Sequence, residues 1–311
     1  MELLNNFFVT PFTAMGENPV FLLEVIIGGL LTGVMYSLVA LGFVLIFKAS
    51  GVFNFAQGAM VLFAALTLVG LIEHGVPVIL AMALTLGVML VLAWLVERLM
   101  LTPLVNQDPI ILFMATIGLN FFLEGLGQLA WGSNVKKLDI GIPDQNVPLV
   151  GVMVNQFDLF AALVAAILVG GLAVFFQKTP TGRALRAVAD DHQAAMSIGI
   201  PLRHIWILVW AVAGGVAMIA GVVWGAKSGV QFSLSLIALK ALPVLILGGF
   251  TSVPGAIVGG LIIGVGEKVA EVYWGPLVGG AIENWFAYML AMVFLMFRPQ
   301  GLFGEKIIER V

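Results

Sequence analysis

The sequence predicts an all-α, polytopic membrane protein of about eight to nine transmembrane helices with one charged cytoplasmic segment. Three observations predict it. Of the 311 residues, 61% are hydrophobic and 10% charged, against roughly 45–50% and about 25% in soluble domains. Mean hydropathy is +1.12, and the apolar residues fall in long runs separated by Gly, Pro and Asn. Lys and Arg gather at alternate breaks between those runs. At about 20 residues per helical span, the chain has room for some eight to ten spans and for no sizeable soluble domain.

The start, MELLNNFFVTPF, lacks a basic n-region, so no cleaved signal peptide is expected; residues 1–19 read as an external or interfacial segment with a short helix. Apolar runs then give nine candidate spans at 20–47, 55–73, 76–100, 109–131, 157–177, 204–227, 234–249, 254–273 and 284–298. The 234–249 run is short for a crossing and reads as a tilted helix, a broken helix or half of a re-entrant pair. Together these make a transmembrane domain over 20–304, followed by a cytoplasmic tail at 305–311.

Orientation follows from the basic residues. No Lys or Arg precedes Lys48. Alternating the spans puts Lys48, Arg98, Lys178, Arg183, Arg186, Arg203, Arg298, Lys306 and Arg310 on one side, and Lys136, Lys137 and Lys227 on the other. The bias places the N-terminus outside and the C-terminus in the cytoplasm. The main external loop is 132–156, with Asp139, Asp144, Pro143 and Pro148.

Several chemistries are excluded. No Cys is present, so disulfides, thiolate metal sites and cysteine nucleophiles are absent. His74, His192 and His204 have no metal-ligand spacing, and no metal site is expected. There is no G-x-S-x-G, no H-E-x-x-H and no G-x-x-x-x-G-K-[ST], so the chain is not expected to be an enzyme, to bind a cofactor or to hydrolyse ATP. Nucleic acid is not an expected partner; membrane lipid is.

What remains is polarity inside the spans, which is costly and therefore functionally suggestive. Thr116, Asn120, Glu124 and Gln128 recur every four residues. They form a slowly drifting stripe on one helix, either the wall of a hydrated path or a set of interhelical hydrogen bonds. Lys240 and Glu267 lie at comparable depth on the seventh and eighth spans and would neutralise one another as a buried ion pair, with Glu271 one turn further out. Asn54 and Gln57 interrupt the run after Lys48; they either cap the following helix or line a gate. A second break, 248–256, offers Ser252 as an N-cap and Pro254 for a first turn. Gly29/Gly33, Gly221/Gly225, Gly255/Gly259 and Gly260/Gly264 have the small-xxx-small spacing that lets helices approach closely in lipid.

The stretch from Lys178 to His204 is the most water-compatible long segment. It reads as two short helices, the first opened by Thr181 as N-cap over 182–189, the second by an Asp190/Gln193 capping box and ended by Gly199. Leu185, Val188, Met196 and Ile198 supply apolar surface, with Arg183 and Arg186 on the other side. So ordered a composition suits docking to a cytosolic subunit better than a solvated linker.

Over residues 23–304 the motifs resemble the branched-chain amino acid type of ABC importer permease, a family that includes urea and short-amide permeases. The resemblance is carried by Gly29, Gly33, Tyr36, Leu38, Ala40 and Gly42, then by N-F-A-Q-G at 54–58 and T-G-R-A-L-R-A at 181–187. It continues through I-G-I at 198–200, Gly248-Gly249 with V-P-G-A at 253–256, Glu267, and R-P-Q-G-L-F-G at 298–304. The family usually has His where Gln57 stands. The resemblance implies a bacterial inner-membrane permease and a heteromeric machine. Its parts would be a second homologous permease, two cytosolic ATPases that bind ATP and Mg, and a periplasmic or extracellular solute-binding protein. It also implies that the coupling element within 178–203 is the segment Thr181, Gly182, Arg183, Arg186, Asp190 to Gly199. A branched-chain or other hydrophobic amino acid is the expected solute, with urea or a short amide as the nearest alternative. A stand-alone secondary transporter or channel is the reading from a different class.

Overall fold

A polar cap followed closely by proline starts two of the longest helices. Asn18 Oδ1 accepts the Phe21 N–H at 3.1 Å, with Pro19 in the first helical position. Ser252 Oγ accepts the Gly255 N–H at 3.0 Å, with Pro254 in the first turn. In both, a side-chain oxygen takes a donor that the helix leaves unpaired, and proline costs nothing there because its missing N–H has no helical partner.

The computed structural model describes residues 7–104, 107–149, 151–190, 195, 197, 199 and 202–304. In chain order the helices are α1 (Thr10–Glu17), α2 (Pro19–Ser50), α3 (Gln57–Glu73), α4 (Val78–Val96, continued by a π turn over Glu97–Leu101) and α5 (Pro109–Trp131). A hairpin of β1 (Asn146–Leu149) and β2 (Val152–Asn155) precedes α6 (Gln156–Lys178) and α7 (Pro180–Asp190). Then come α8 (Leu202–Ser228), a 3-10 turn (Phe232–Leu236), α9 (Ile237–Gly248), α10 (Val253–Val278), a 3-10 turn (Ile282–Asn284) and α11 (Phe286–Phe297). Among the described residues, six helical stretches are long and apolar enough to cross a membrane: α2, α4 with its π turn, α5, α6, α8 and α10. Gln57–Glu73, Phe232–Gly248 and Phe286–Phe297 are apolar but shorter. The short run at 234–249 contains α9, whose 12 residues rise only about 18 Å.

The chain divides into two compact units, one of Met1–Ser37, Gly141–Ala166 and Lys240–Val311, the other of Leu38–Ile140 and Ile167–Leu239. In the second unit α3 is the axis. Gln57 through Gly70 is buried without a break, the mark of a helix apolar on every side. Glycines bring its neighbours onto it. A Cβ on Gly221 of α8 would lie 2.6 Å from the Val61 carbonyl oxygen, and one on Gly58 would lie 2.0 Å from that of Ser235. The outer faces of α4 and α5 are apolar as well: Ile79 is 85% and Leu129 86% exposed. A surface of that kind is stable against hydrocarbon, not water.

In the first unit two of the small-residue pairs meet each other. Gly29 and Gly33 of α2 face Gly260 and Gly264 of α10. A Cβ on Gly33 would lie 2.5 Å from the Gly260 oxygen, and one on Gly264 would lie 2.4 Å from the Gly29 oxygen. Ser37 Oγ, donating to Gly33 O at 2.9 Å and within 3.3 Å of Ile257 O, closes the same crossing. The Gly255/Gly259 pair faces α9 instead, against Gly248 and Val244. The closing R-P-Q-G-L-F-G motif caps α9: Leu302 and Phe303 donate their N–H groups to Leu247 O (2.8 Å) and Gly248 O (3.1 Å). Phe12 of α1 packs edge-on against Trp274, whose indole donates to Phe7 O at 3.1 Å.

The loop 132–156 holds a feature absent from the sequence reading. β1 and β2 pair antiparallel, with Asn146 opposite Asn155 and Leu149 opposite Val152. Glu24 anchors the hairpin by accepting the Met153 N–H at 2.8 Å.

Candidate functional site

Between α2 and α3 the helix stops for six residues, and a polar cluster occupies the break. Asn54 and Gln57 are both fully buried, at 0% exposure. Asn54 Oδ1 accepts the Ala56 N–H at 3.1 Å, and its Nδ2 donates to Gln57 Oε1 at 3.3 Å. Asn54 therefore satisfies the start of α3 from two residues back. Gln57 does not cap: it is the first helical residue, its side chain lies against Gly42, and its Nε2 has no hydrogen-bond acceptor among the described residues. Thr116 joins the cluster from α5. Its Oγ1 accepts the Phe55 N–H at 3.1 Å and donates to Phe113 O at 2.8 Å.

The rest of the α5 stripe departs from it progressively. Thr116 is 1% and Asn120 9% exposed, Glu124 is half-buried and Gln128 exposed. Four residues turn a helix by about 400°, so each step drifts about 40° and three steps carry the last member from the protein interior to the outer face. The stripe is thus a wall at one end and a surface at the other.

In the first unit, Lys240 Nζ donates to Glu267 Oε1 at 3.1 Å. The Tyr36 hydroxyl lies beside the same carboxylate, and Tyr36 and Glu267 are each 3% exposed. Glu271, one turn on, accepts the N–H groups of Ala281 (3.1 Å) and Glu283 (3.0 Å) and holds the turn that follows α10. Tyr36 was visible in the sequence only as part of a motif; its role as a carboxylate partner was not.

α7 carries the charged segment, and here one expectation is corrected. The N-cap is Thr179, not Thr181: its Oγ1 accepts the Gly182 N–H at 3.0 Å, and Pro180 takes the first helical position. Two residues separate the candidates because proline fits the first turn better than the position ahead of the cap. Thr181 is half-buried and Arg183 exposed. Gly182 is buried where a Cβ would lie 2.4 Å from Phe176 O. Leu185 and Val188 are buried, as their apolar character requires. Arg186 turns back and donates to Phe176 O and Gln177 O, capping the end of α6. Gly199 has φ +85°, the left-handed geometry in which helices commonly end. The Asp190 side chain and Gln193, Met196 and Ile198 lie outside the described residues.

The sequence reading missed Glu97. It stands on the π turn that ends α4, fully buried, and accepts from Thr102 Oγ1 at 2.8 Å. Arg203 Nε, in the first turn of α8, lies 3.4 Å from the same Oε1. One turn further, Trp206 Nε1 donates to Ala49 O at 3.2 Å, near the end of α2. The available signal was an acid placed ahead of Arg98 inside an apolar run.

A family model described as the branched-chain amino acid transport system / permease component matches residues 25–298. The permease protein BraD of a high-affinity branched-chain amino acid transport system in Pseudomonas aeruginosa is 28% identical, covering 93% of this chain and 98% of its own. The corresponding LivH of Escherichia coli is 26% identical, covering 96% of this chain and 100% of its own. A probable branched-chain amino acid transport permease LivH of Methanocaldococcus jannaschii is 27% identical over 89% of this chain and 91% of its own. The matched residues take in the α2–α10 crossing, the buried break, α7 and the Lys240–Glu267 pair, and on that match the chain belongs to the branched-chain amino acid permease family.

Proposed function

We propose that this chain is the membrane-spanning permease subunit of an ATP-driven importer for branched-chain or other hydrophobic amino acids. The observation that carries the reading is the family match over residues 25–298, together with relatives of that printed activity aligned along nearly their whole length. The chain sits in the bacterial inner membrane with its N-terminus outside and its C-terminus in the cytoplasm, as the basic residues indicate. Its partners are a second homologous permease, two cytosolic ATPases that hold ATP and Mg, and a solute-binding protein on the outer side. The ATPases engage α7 and the segment through Gly199. Support for this comes from the burial of Leu185 and Val188 beside an exposed Arg183: one side of α7 is fixed to the permease while the other is left for a partner. ATP-driven closure of the ATPases displaces that segment as a rigid body and exchanges outward- and inward-facing states. Asn54, Gln57, Thr116 and Asn120 line the solute path, and Glu124 and Gln128 continue it toward the surface.

The test is reconstitution of the complex in proteoliposomes with labelled leucine. Uptake that requires both ATP and the ATPase subunits, and that unlabelled isoleucine and valine suppress, is the expected result. Uptake without ATPases would make the chain a secondary transporter. Suppression by urea and not by isoleucine would assign the amide branch of the family.

A further inference from the structure

The start of α8 bonds to the ends of two other helices through residues three apart, and so on one face. Arg203 reaches Glu97 on the π turn of α4, with Nε and Oε1 3.4 Å apart. Trp206 reaches Ala49 O on the last turn of α2 at 3.2 Å. Arg203 follows Gly199, the end of the segment assigned to the ATPases, by four residues, and Ala49 lies five residues ahead of Asn54. The buried break is therefore one hydrogen bond and a few residues of chain away from the segment assigned to the ATPases.

The chemistry of the two contacts suits transmission. Glu97 is 0% exposed and Arg203 is 57% exposed at its side chain. The acid is fixed in the protein by Thr102, and the base is the accessible arm. Ala49, Trp206, Trp210 and Val209 are all buried, so the first turns of α8 cannot slide without moving what they touch. The π turn at Glu97 is a place where a helix holds an extra residue, and such turns occur frequently at functional sites.

We propose that Arg203 and Trp206 form a joint that carries displacement of the 178–203 segment to the α2–α3 break, Arg203 through Glu97 and Trp206 through Ala49. This rests on the reading of α7 as the ATPase contact and names the residues through which that contact acts. Neither residue is proposed to touch solute; both are positioning residues.

The experiment measures solute taken up per ATP hydrolysed by the complete importer in proteoliposomes. Wild type is compared with Arg203→Gln, Arg203→Lys, Trp206→Phe and Glu97→Gln. ATPase activity and co-purification of the ATPases should persist in all of them. Uptake per ATP should fall roughly two- to thirtyfold in Arg203→Gln, Trp206→Phe and Glu97→Gln, the range over which residues along a coupling route act. Arg203→Lys, which keeps the charge, should recover at least part of it. Uptake and hydrolysis falling in proportion, with the ratio unchanged, would overturn the joint while leaving the importer reading intact. Wild type that does not couple to ATP would instead remove the importer reading. Should Arg203→Gln or Glu97→Gln fail to assemble, Trp206→Phe decides alone, because it keeps the aromatic packing and removes one N–H; an unchanged ratio there overturns the proposal.

Discussion

Gly264→Ala is the sharpest probe of the crossing between α2 and α10. The added methyl carbon would stand 2.4 Å from Gly29 O and 2.5 Å from both Cα and N of Gly33. All three are backbone atoms, so no rotamer change relieves them. Ordinary carbon contacts need about 3.5 Å, so the helices must part by about 1 Å. That movement also stretches the 3.3 Å approach of Ser37 Oγ to Ile257 O past hydrogen-bonding range. Overpacking of this kind costs about 1–3 kcal/mol, with rigid backbone on the far side favouring the upper end. Alanine returns up to about 1 kcal/mol of helix propensity. The net loss is about 2 kcal/mol, or roughly 4–8 °C in melting temperature. Gly28→Ala on α2 and Gly118→Ala on α5 are the controls, since a Cβ at either meets nothing within 4 Å. The chain has seven Trp and no Cys, so intrinsic fluorescence during heating in detergent is the suitable assay and thiol dyes are not. Gly264→Ala melting at or above Gly28→Ala would refute the crossing.

Two further tests concern the first unit, one its buried ion pair and one a strained backbone position. Lys240→Met leaves the Glu267 carboxylate, 3% exposed, with Tyr36 as its remaining partner, and should cost about 3 kcal/mol. Adding Glu267→Gln should recover about 1–3 kcal/mol of that, and equal melting temperatures for the single and double variants would dismiss the pair. Ala281→Gly relaxes a non-glycine residue at φ +59°, next to Gly279 and Gly280 at +89° and +83°. It should raise stability by about 0.5–1 kcal/mol, and a lower melting temperature would show that the alanine methyl packs usefully.

The apolar runs located the helices to within a few residues because length and hydropathy decide helix existence in a membrane chain. α5 lies at 109–131 in the sequence reading and at Pro109–Trp131 in the structure. The spacing of Gly29/Gly33 and Gly260/Gly264 signalled close approach, but which pair met which depended on the fold. Lys240 and Glu267 were legible as partners because two lone charges at similar depth have few other ways to be neutralised. Glu97 was not, because an acid beside an arginine at a helix end looks like a solvated charge. Its burial comes from Arg203 and Thr102, 106 and five residues away. The drift of the stripe on α5 was legible from its four-residue spacing; that the 40° per step carries Gln128 out while Thr116 stays in depends on which side a neighbouring helix covers.

The polar groups of the membrane body divide by whether their bonding is complete. The Glu267 carboxylate, the Ser37 hydroxyl and the Glu271 carboxylate all have partners, and each closes a contact between elements. Among the described residues, Gln57 Nε2 and Glu97 Oε2 are buried without one. An unmet amide or carboxylate in a dry interior costs about 1–3 kcal/mol. Gln57 lies in the break that Trp206 touches through Ala49, and Glu97 holds Arg203. A displacement that gives either group a partner recovers its missing bond, about the size of a typical coupling free energy between sites. The incompletely bonded groups are therefore where movement changes the energy most, and the completely bonded ones are where it changes least without rupture.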